Sequence, residues 1–157
     1  MIPLAYLITF RCYGTWLHGD KRGSVDHLHN AYGTPFIERD DEREEEEGRR
    51  LKQAPVKLDE TRRVAVDKAL RDVCIHHDWT LLAINVRTNH VHVVVSAPCR
   101  PNKVLSDFKA YATPRMREAG VWKSVLKPWS EKGSRRYLWT PQQIGRASCR
   151  ERVYVLV

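Results

Sequence analysis

The chain has 157 residues, of which 42% are hydrophobic and 29% charged, which suits one soluble globular domain and excludes a second full domain or a disordered tail. No apolar run approaches the roughly 20 residues of a membrane-spanning helix, and the N-terminus lacks the basic start and cleavage site of a signal peptide, so we expect a cytoplasmic protein. The net charge of +8 is uneven, because Glu38–Glu47 holds eight acidic residues and the remaining chain carries +14. So basic a body is expected to bind a polyanion such as nucleic acid.

The first predicted element is a β-strand from about Ala5 to Tyr13, where aromatic and β-branched residues alternate until Gly14 interrupts the run. Between about 17 and 58 this pattern dissolves into glycine, proline, histidine and acidic residues, which predicts a long insertion after the first strand. Within the insertion, the stretch EREEEEGRRLKQ (Glu42–Gln53) has the charge spacing of a short solvated helix and carries no functional signal.

A helix is predicted next, from Glu60 to about His76, because apolar residues recur near a period of 3.6 and Asp59 can cap the first turn. The runs TLLAINVRT and HVHVVVSA then predict two strands joined by a β-hairpin turn at Thr88 and Asn89.

The last two predicted elements are a helix from about Lys103 to Ala119, ended by Gly120, and a short strand from Arg135 to Pro141. The order strand, helix, strand, strand, helix, strand predicts a ferredoxin-like α+β sandwich. In that fold the helices cover one face of an antiparallel sheet, and the other face is available to a ligand.

The end of the chain departs from this pattern. Residues Ile144–Val153, IGRASCRERV, lack apolar periodicity and resemble the conceptual translation of a common sequencing-library adapter. For that reason we expect residues 144–157 to be non-native, with a domain spanning 1–143 whose genuine C-terminus is missing. The alternative is an ordinary basic C-terminal segment.

Cysteine usage indicates neither a disulfide framework nor a zinc site, because no two cysteines have the spacing of a C-x-x-C motif. We expect buried thiols at Cys12, Cys74, Cys99 and Cys149.

His90 and His92 are the first candidates for chemistry. They stand at positions i and i+2 of a predicted strand, so both imidazoles point to the same face. Two adjacent imidazoles can share a divalent metal, which needs at least one further ligand. The alternative is a pair that arises by chance on a solvated strand. The apolar run VVVSA that follows favours the metal site, because it fixes the pair on a core strand.

Tyr111 is the second candidate. On the predicted second helix it lies among Lys109, Arg115 and Arg117, a basic setting that suits contact with a phosphate. A tyrosine hydroxyl is a poor nucleophile at its free pKa of about 10, and a metal that polarises a phosphodiester lessens that demand. The alternative is a core tyrosine, because apolar residues stand near it at helical spacings.

Together these motifs resemble the single-tyrosine HUH transposases, and most of all the REP-associated tyrosine transposases and the IS200-like transposases. The resemblance runs over most of residues 1–143, through TFRCYGTWLHGD, NVRTNHVHVVV, DFKAYAT and GSRRYLWT, and NHVH with its downstream tyrosine is its specific part. It implies that His90 and His92 bind Mg²⁺ or Mn²⁺ and that Tyr111 attacks a phosphate of single-stranded or hairpin DNA. A 5′-phosphotyrosine and a free 3′-hydroxyl would result, and reversal of the step on another strand would join DNA without ATP.

The chain departs from this family at two positions. Better-known insertion-sequence members place a glutamine one turn after the tyrosine as third metal ligand, where this chain has Arg115. Asp107, one turn before Tyr111 on the same helical face, is the predicted substitute. Pro114 predicts a kink in the helix beside the nucleophile, which either aims Tyr111 or marks a damaged copy.

Basic residues that flank the predicted site are the candidates for DNA contacts. They are Arg11, Arg87, Lys109, Arg115, Arg117, Arg135 and Arg136. Tyr13, Trp16 and Trp139 are candidates for stacking on unpaired bases. The family resemblance implies either a monomer or a homodimer.

The sequence therefore predicts a metal-dependent transposase that cleaves and rejoins single-stranded or hairpin DNA. Three other functions stay open: a domesticated relative that binds hairpin DNA without cutting it, another HUH enzyme such as a replication initiator or relaxase, and a small metal-dependent hydrolase. The hydrolase would use His90 and His92 without a role for Tyr111.

Overall fold

The computed structural model describes residues 2–15 and 53–150, the last two as backbone. The elements found there are β1 (Ala5–Cys12), α1 (Glu60–His77), β2 (Thr80–Val86), β3 (His90–Ser96), α2 (Pro101–Glu118), β4 (Trp129–Leu138) and α3 (Pro141–Arg150). All seven belong to one compact unit. The helix predicted in the acidic stretch lies outside the described residues, apart from its last position.

The four strands form one antiparallel sheet in the order β2-β3-β1-β4. This is the strand order of the ferredoxin-like sandwich, so the predicted α+β fold is confirmed. The helix α3, which follows β4, was not predicted, because residues from 144 onward were expected to be non-native.

The two faces of the sheet differ in character. In β3 the fully buried Val91, Val93 and Val95 alternate with His90 and His92, so the valines and the histidines point to opposite faces. The valine positions lie directly across from the fully or largely buried positions of β1. These two rows form the sheet side of the hydrophobic core.

Helices α1 and α2 cover the valine face. Gly133 of β4 lies opposite Phe10, whose side chain is on the valine face. A Cβ added at Gly133 would stand 3.0 Å from the Leu105 side chain of α2 and 2.6 Å from the Thr9 carbonyl oxygen. A side chain at position 133 would therefore collide with the backbone of β1 and crowd Leu105 of α2. Because α1 and α2 cover the valine face, the two histidines lie on the face turned away from these helices.

Helix α3 contacts β2, β3 and β4 rather than packing on α1 and α2. The helix lies at the end of the sheet that carries Ala83, Val94 and Leu138. The strand positions of these three residues turn their side chains toward the same face as the histidines, and all three are buried there. One end of the histidine-bearing face is therefore apolar and covered, and the other end is polar.

Local sequence signals account for the helix ends. The carboxylate of Asp59 accepts a hydrogen bond from the Arg62 backbone N–H at the start of α1, and Asp78 takes a left-handed conformation at its end, with φ 56°. Helix α2 begins at Pro101, two residues before the predicted start, because a proline without an N–H suits the first turn. It continues through Pro114 to Glu118.

Strand β4 begins at Trp129, six residues before the predicted start at Arg135. The residues between them, SEKGS, have low β propensity, so the sequence gives no strand signal there. They pair with β1 nevertheless, and the ladder shifts register between Phe10 and Cys12 to do so.

Buried thiols are confirmed at Cys12 and Cys74, where burial raises the thiol pKa to about 12, and Cys99 is half-buried. The side chain of Cys149 is outside the described residues. Within the described ranges, no helix is both long enough and apolar enough to cross a membrane.

Candidate metal site on the histidine face

The face of the sheet that carries Thr9, His90 and His92 is called here the histidine face. His90 and His92 project from it side by side, with ring centroids 4.6 Å apart and ring planes at 78°. Both residues are half-buried. The predicted convergence of the two imidazoles on one face is therefore present.

Each imidazole is held by a side-chain hydrogen bond at its Nδ1 atom. Thr9 Oγ1 lies 2.9 Å from Nδ1 of His92, and Asn89 Oδ1 lies 2.6 Å from Nδ1 of His90. Such bonds fix the orientation and tautomer of histidines that bind metals. A metal held by this pair would be bound through Nε2 of each ring.

The protonation state of His92 also suits a metal ligand. Burial lowers the pKa of His92 to about 4, and the positive charge of Arg87 acts in the same direction. The imidazole is therefore neutral at pH 7, which is the form that donates a lone pair to a metal.

A row of polar side chains crosses the histidine face at the level of His92. The strand registers place Asn85 of β2 and Thr9 of β1 on either side of His92, and Ser134 of β4 beyond Thr9. Amide and hydroxyl groups of this kind are ligands or hydrogen-bond partners for hydrated Mg²⁺ and for phosphate oxygens.

The sequence contained a signal for Asn85 that the motif analysis missed. A two-residue turn at Thr88 and Asn89 predicts that Arg87 pairs with His90, and the same register carried back two residues pairs Asn85 with His92. Thr9 had no comparable signal, because the register between β1 and β3 is set by packing between elements far apart in the sequence.

The predicted third ligand is not part of this group. Asp107 lies on α2, where its Oδ2 is 3.3 Å from Nε2 of His77 and 3.0 Å from Nζ of Lys103. In residues 2–15 and 53–150 there is no cluster of three or more His, Cys, Asp or Glu side chains able to hold a metal ion. The structure thus does not support Asp107 as a ligand beside His90 and His92.

Tyr111 is likewise separated from the histidine pair. Its ring lies 6.3 Å from that of His76 and 6.2 Å from that of His77, between the centroids, so it occupies the groove between α2 and the end of α1. Both helices cover the valine face, and the sheet stands between Tyr111 and His90. The structure therefore does not support attack by Tyr111 on a phosphate held by the pair in the same copy of the chain.

Three of the seven predicted DNA-contacting residues surround the histidines. Arg11 lies directly opposite His90 in the ladder between β1 and β3, and Arg136 is on the histidine face of β4, opposite Leu7. Arg87 is exposed in the connection between β2 and β3, and its backbone N–H donates to the His90 carbonyl. The guanidinium groups of Arg11 and Arg87 make the polar end of the face electropositive, whereas Arg136 lies toward the other end, in the row of Leu7 and Val94.

The other four predicted contacts lie on the helix side of the sheet or hold structure together. The Lys109 ammonium donates to three backbone carbonyls of residues 130–132, at 2.8 to 3.3 Å. Arg115 forms an ion pair with Asp72 at 2.6 Å, and Arg117 donates to the Ser124 carbonyl. The remaining one, Arg135, donates to Asn102 Oδ1.

Two of the predicted stacking residues are described. Tyr13 is half-buried just after β1, and Trp139 is exposed just after β4. Trp16 lies outside the described residues.

A sandwich with two oriented imidazoles and several arginines on one sheet face belongs to the class of proteins suited to phosphate-bearing ligands. The family model "Transposase IS200 like" matches residues 52–141, which is more than half of the chain. The chain therefore belongs to the family of IS200-like transposases, and the polyanion indicated by its charge is DNA.

Among solved structures, the chain is similar to a candidate transposase from Deinococcus radiodurans R1. The sequence identity is 14%, the likeness covers 97% of this chain and 92% of that one, and the TM-score is 0.48. No curated protein sequence matches the chain.

Proposed function

We propose that this transposase cleaves and rejoins single-stranded or hairpin DNA on the histidine face, with Mg²⁺ or Mn²⁺ held by His90 and His92. The observation that carries the proposal is the pair of imidazoles fixed through Nδ1 by Thr9 and Asn89. The nearby Arg11 supplies positive charge for the DNA backbone.

The residues present fit a divalent metal. His92 is neutral at pH 7, since its pKa is lowered to about 4, and both rings share one face. Two protein ligands leave room for oxygen ligands, which Mg²⁺ and Mn²⁺ prefer and which DNA phosphates and water provide. When bound, the metal would polarise the scissile phosphate and neutralise charge that develops on it.

The residues around the pair position the DNA. Arg11 and Arg136 can each hold a phosphate with two parallel N–H donors, and this fixes the backbone against the sheet. Ser134 and Asn85 in the polar row add hydrogen bonds to phosphate or sugar oxygens. Positioning and charge neutralisation supply most of the catalysis in phosphoryl transfer.

We further propose that the covalent intermediate is a 5′-phosphotyrosine. The tyrosine oxygen forms a bond to phosphorus, the bond from phosphorus to the 3′ oxygen breaks, and the phenolic proton ends on the released 3′-hydroxyl. The number of phosphodiester-type bonds is unchanged, so the reverse step joins a strand without ATP. Tyr111 can serve here only from a second copy of the chain, because the sheet separates it from His90 in its own copy.

A second function is binding of hairpin DNA without cleavage. It is favoured by the placement of Tyr111 among His76 and His77 on the helix side, away from the histidine pair. In that case the histidine face would bind the DNA, and the metal would neutralise phosphate charge without a chemical step.

The test uses the full chain with labelled hairpin DNA carrying single-stranded flanks, with and without Mn²⁺. We expect Mn²⁺-dependent cleavage and a covalent adduct in the wild type, and loss of both in His92→Ala. Mixing His92→Ala with Tyr111→Phe would restore the adduct if Tyr111 acts from a second copy.

The other outcomes are distinct. Cleavage without any adduct, equal in the wild type and Tyr111→Phe, would identify a hydrolase. Mn²⁺-dependent binding without cleavage would identify the binding protein. Binding and cleavage that are indifferent to both Mn²⁺ and His92→Ala would refute the role of the histidine face.

A further inference from the structure

Strand β4 is an edge of the sheet and carries two exposed aromatic rings at its end. Tyr137 is 48% exposed and Trp139, directly after the strand, is 39% exposed. They are the only exposed Phe, Tyr or Trp side chains among the described residues. Their strand positions turn them to the valine face, beyond the first turn of α2. Neither ring takes part in the site on the histidine face.

Both rings are held in place by the fold. The Tyr137 ring packs on that of Tyr6, with centroids 5.6 Å apart, and the buried Tyr6 donates its hydroxyl to the Cys99 carbonyl at 2.8 Å. The rings of Tyr137 and Trp139 are 5.7 Å apart at 89°. The Trp139 backbone N–H donates to Gln143 Oε1. Rings already ordered in this way lose little conformational entropy when a ligand stacks on them.

The surroundings of the two rings are basic. Arg135 precedes Tyr137 on the same face of β4, and Arg136 lies between them on the histidine face. Arg100, next to the Cys99 carbonyl that holds Tyr6, is also exposed. The only acidic residue of β4, Glu131, is at the opposite end of the strand. Exposed rings beside arginines match the chemistry of a single strand, which offers both base faces and phosphates.

We propose that Tyr137 and Trp139 form a stacking surface for unpaired bases of the DNA strand whose backbone lies on the histidine face. The inference rests on the proposed function in one respect, because it takes as its ligand the DNA strand that the histidine face is proposed to bind. The register pairs Thr9 with Ser134 and Tyr6 with Tyr137, so Tyr137 lies three residues along the sheet from the polar row, or about 10 Å. Since β4 is the edge strand, a strand passing over Arg136 can turn around the edge and reach both rings.

A protein partner fits this edge less well. Pairing of a second copy along β4 would bring two rows of Lys132, Arg135 and Arg136 together, and charged edge residues of this kind oppose strand addition. Base stacking requires no such approach, because the same charges attract the DNA backbone.

The test compares Trp139→Ala, Tyr137→Leu and the conservative Trp139→Phe with Ile75→Ala, an exposed apolar position on α1 that serves as the matched control. Fluorescence anisotropy measures the affinity of the full chain for hairpin DNA with a single-stranded flank. The same DNA is also used with abasic sites throughout the flank. We expect Trp139→Ala to weaken binding of the intact DNA about tenfold, which is typical of base–aromatic stacking. Trp139→Phe and Ile75→Ala should bind as the wild type does.

The abasic DNA isolates stacking from other effects. The wild type should lose more than this factor of ten when the bases are removed, because both rings then lose their stacking partners, and the wild type and Trp139→Ala should bind the abasic DNA equally. Equal affinities of the wild type and Trp139→Ala for intact DNA would overturn the proposal. A tenfold loss on both DNAs would also overturn it, because removal of the ring would then act through the fold. So would concentration-dependent dimerisation that Trp139→Ala abolishes while DNA binding is kept.

Failure here is separable from failure of the proposed function. Mn²⁺ dependence and the effect of His92→Ala are read in the same assay. If intact and abasic DNA bind equally well while binding still depends on Mn²⁺, only the stacking surface is overturned. If binding does not depend on Mn²⁺ while Trp139→Ala still weakens it, only the metal site is overturned.

Discussion

Replacement of Thr9 by valine tests whether the hydrogen bond to His92 prepares the histidine face for a metal. Valine keeps the shape and the β-branch of threonine but removes the Oγ1 atom that stands 2.9 Å from Nδ1 of His92. The ring then loses the partner that fixes its orientation and tautomer. Loss of such a partner typically weakens metal binding 10- to 100-fold, or about 1.4 to 2.7 kcal/mol.

The effect on stability should be smaller than the effect on the metal. One hydrogen bond contributes about 1 kcal/mol to folding, which in a chain of this size lowers Tm by about 2–4 °C. Thr9→Val is therefore expected to be fully folded at 25 °C while its Mn²⁺ affinity is reduced.

The assay is titration of Mn²⁺ into the protein, with unbound Mn²⁺ followed by electron paramagnetic resonance. Thr9→Ser keeps the hydroxyl and should bind Mn²⁺ within about twofold of the wild type. Thr80→Val removes an exposed threonine hydroxyl at the far end of β2 and is the matched control, which should bind Mn²⁺ as the wild type does. Equal Mn²⁺ affinity of the wild type and Thr9→Val would refute the idea that Thr9 orients His92.

Three further predictions follow from the same geometry. Because the pKa of His92 in the fold, about 4, is below its ordinary value of about 6.5, its contribution to stability is complete above pH 6.5 and is lost as the pH falls toward 4. Discounted for solvent screening, that contribution is about 2 kcal/mol. In urea unfolding, the loss of unfolding free energy between pH 7 and pH 4 should therefore be about 2 kcal/mol smaller in His92→Gln than in the wild type. Gly133→Ala should cost about 1–3 kcal/mol in urea unfolding, since its methyl group would meet a backbone oxygen and Leu105; unchanged stability would show that the strand can shift freely. Lys109→Met should lower the free energy of unfolding by about 2 kcal/mol and leave the salt dependence of DNA binding unchanged, because the ammonium group holds backbone carbonyls. Arg136→Gln should instead reduce the slope of log affinity against log salt concentration by about 1. A reduced slope in Lys109→Met would show that Lys109 does contact DNA.

The fold was accessible from the sequence because its local signals agree with one another. Alternation over the first strand, the capped helix at Asp59 and the hairpin at Thr88 and Asn89 each act within a few residues. The start of β4 was not accessible, because residues 129–134 join the sheet through tertiary contacts. Lys109 supplies one of them by donating to the carbonyls of residues 130–132.

The placement of the candidate side chains was predictable on β3 and not on α2. Period-two alternation is enough to place His90 and His92 on one face. A helical residue reaches either the sheet or a neighbouring helix, and spacing along α2 does not decide which. The valines that alternate with the histidines decide which side of the sheet α2 occupies. Because the valines must face the helices, the histidines point to the opposite face. A side chain on α2 is therefore separated from His90 by the sheet.

The same alternation explains the outcome for Asp107. Its position one turn before Tyr111 places both on one side of α2, and that side faces the end of α1. The carboxylate therefore meets His77 of α1 and Lys103 of its own helix there.

If the histidine face is the DNA-binding surface proposed above, its covered apolar end limits the directions from which DNA can approach. Helix α3 lies at the end of the sheet where Ala83, Val94 and Leu138 are buried, so that end of the face is less open than the other. The polar end, at the connection between β2 and β3, carries Arg87 and leads directly to His90. DNA that enters from this side would therefore pass the guanidinium group of Arg87 before it reaches His90 and His92.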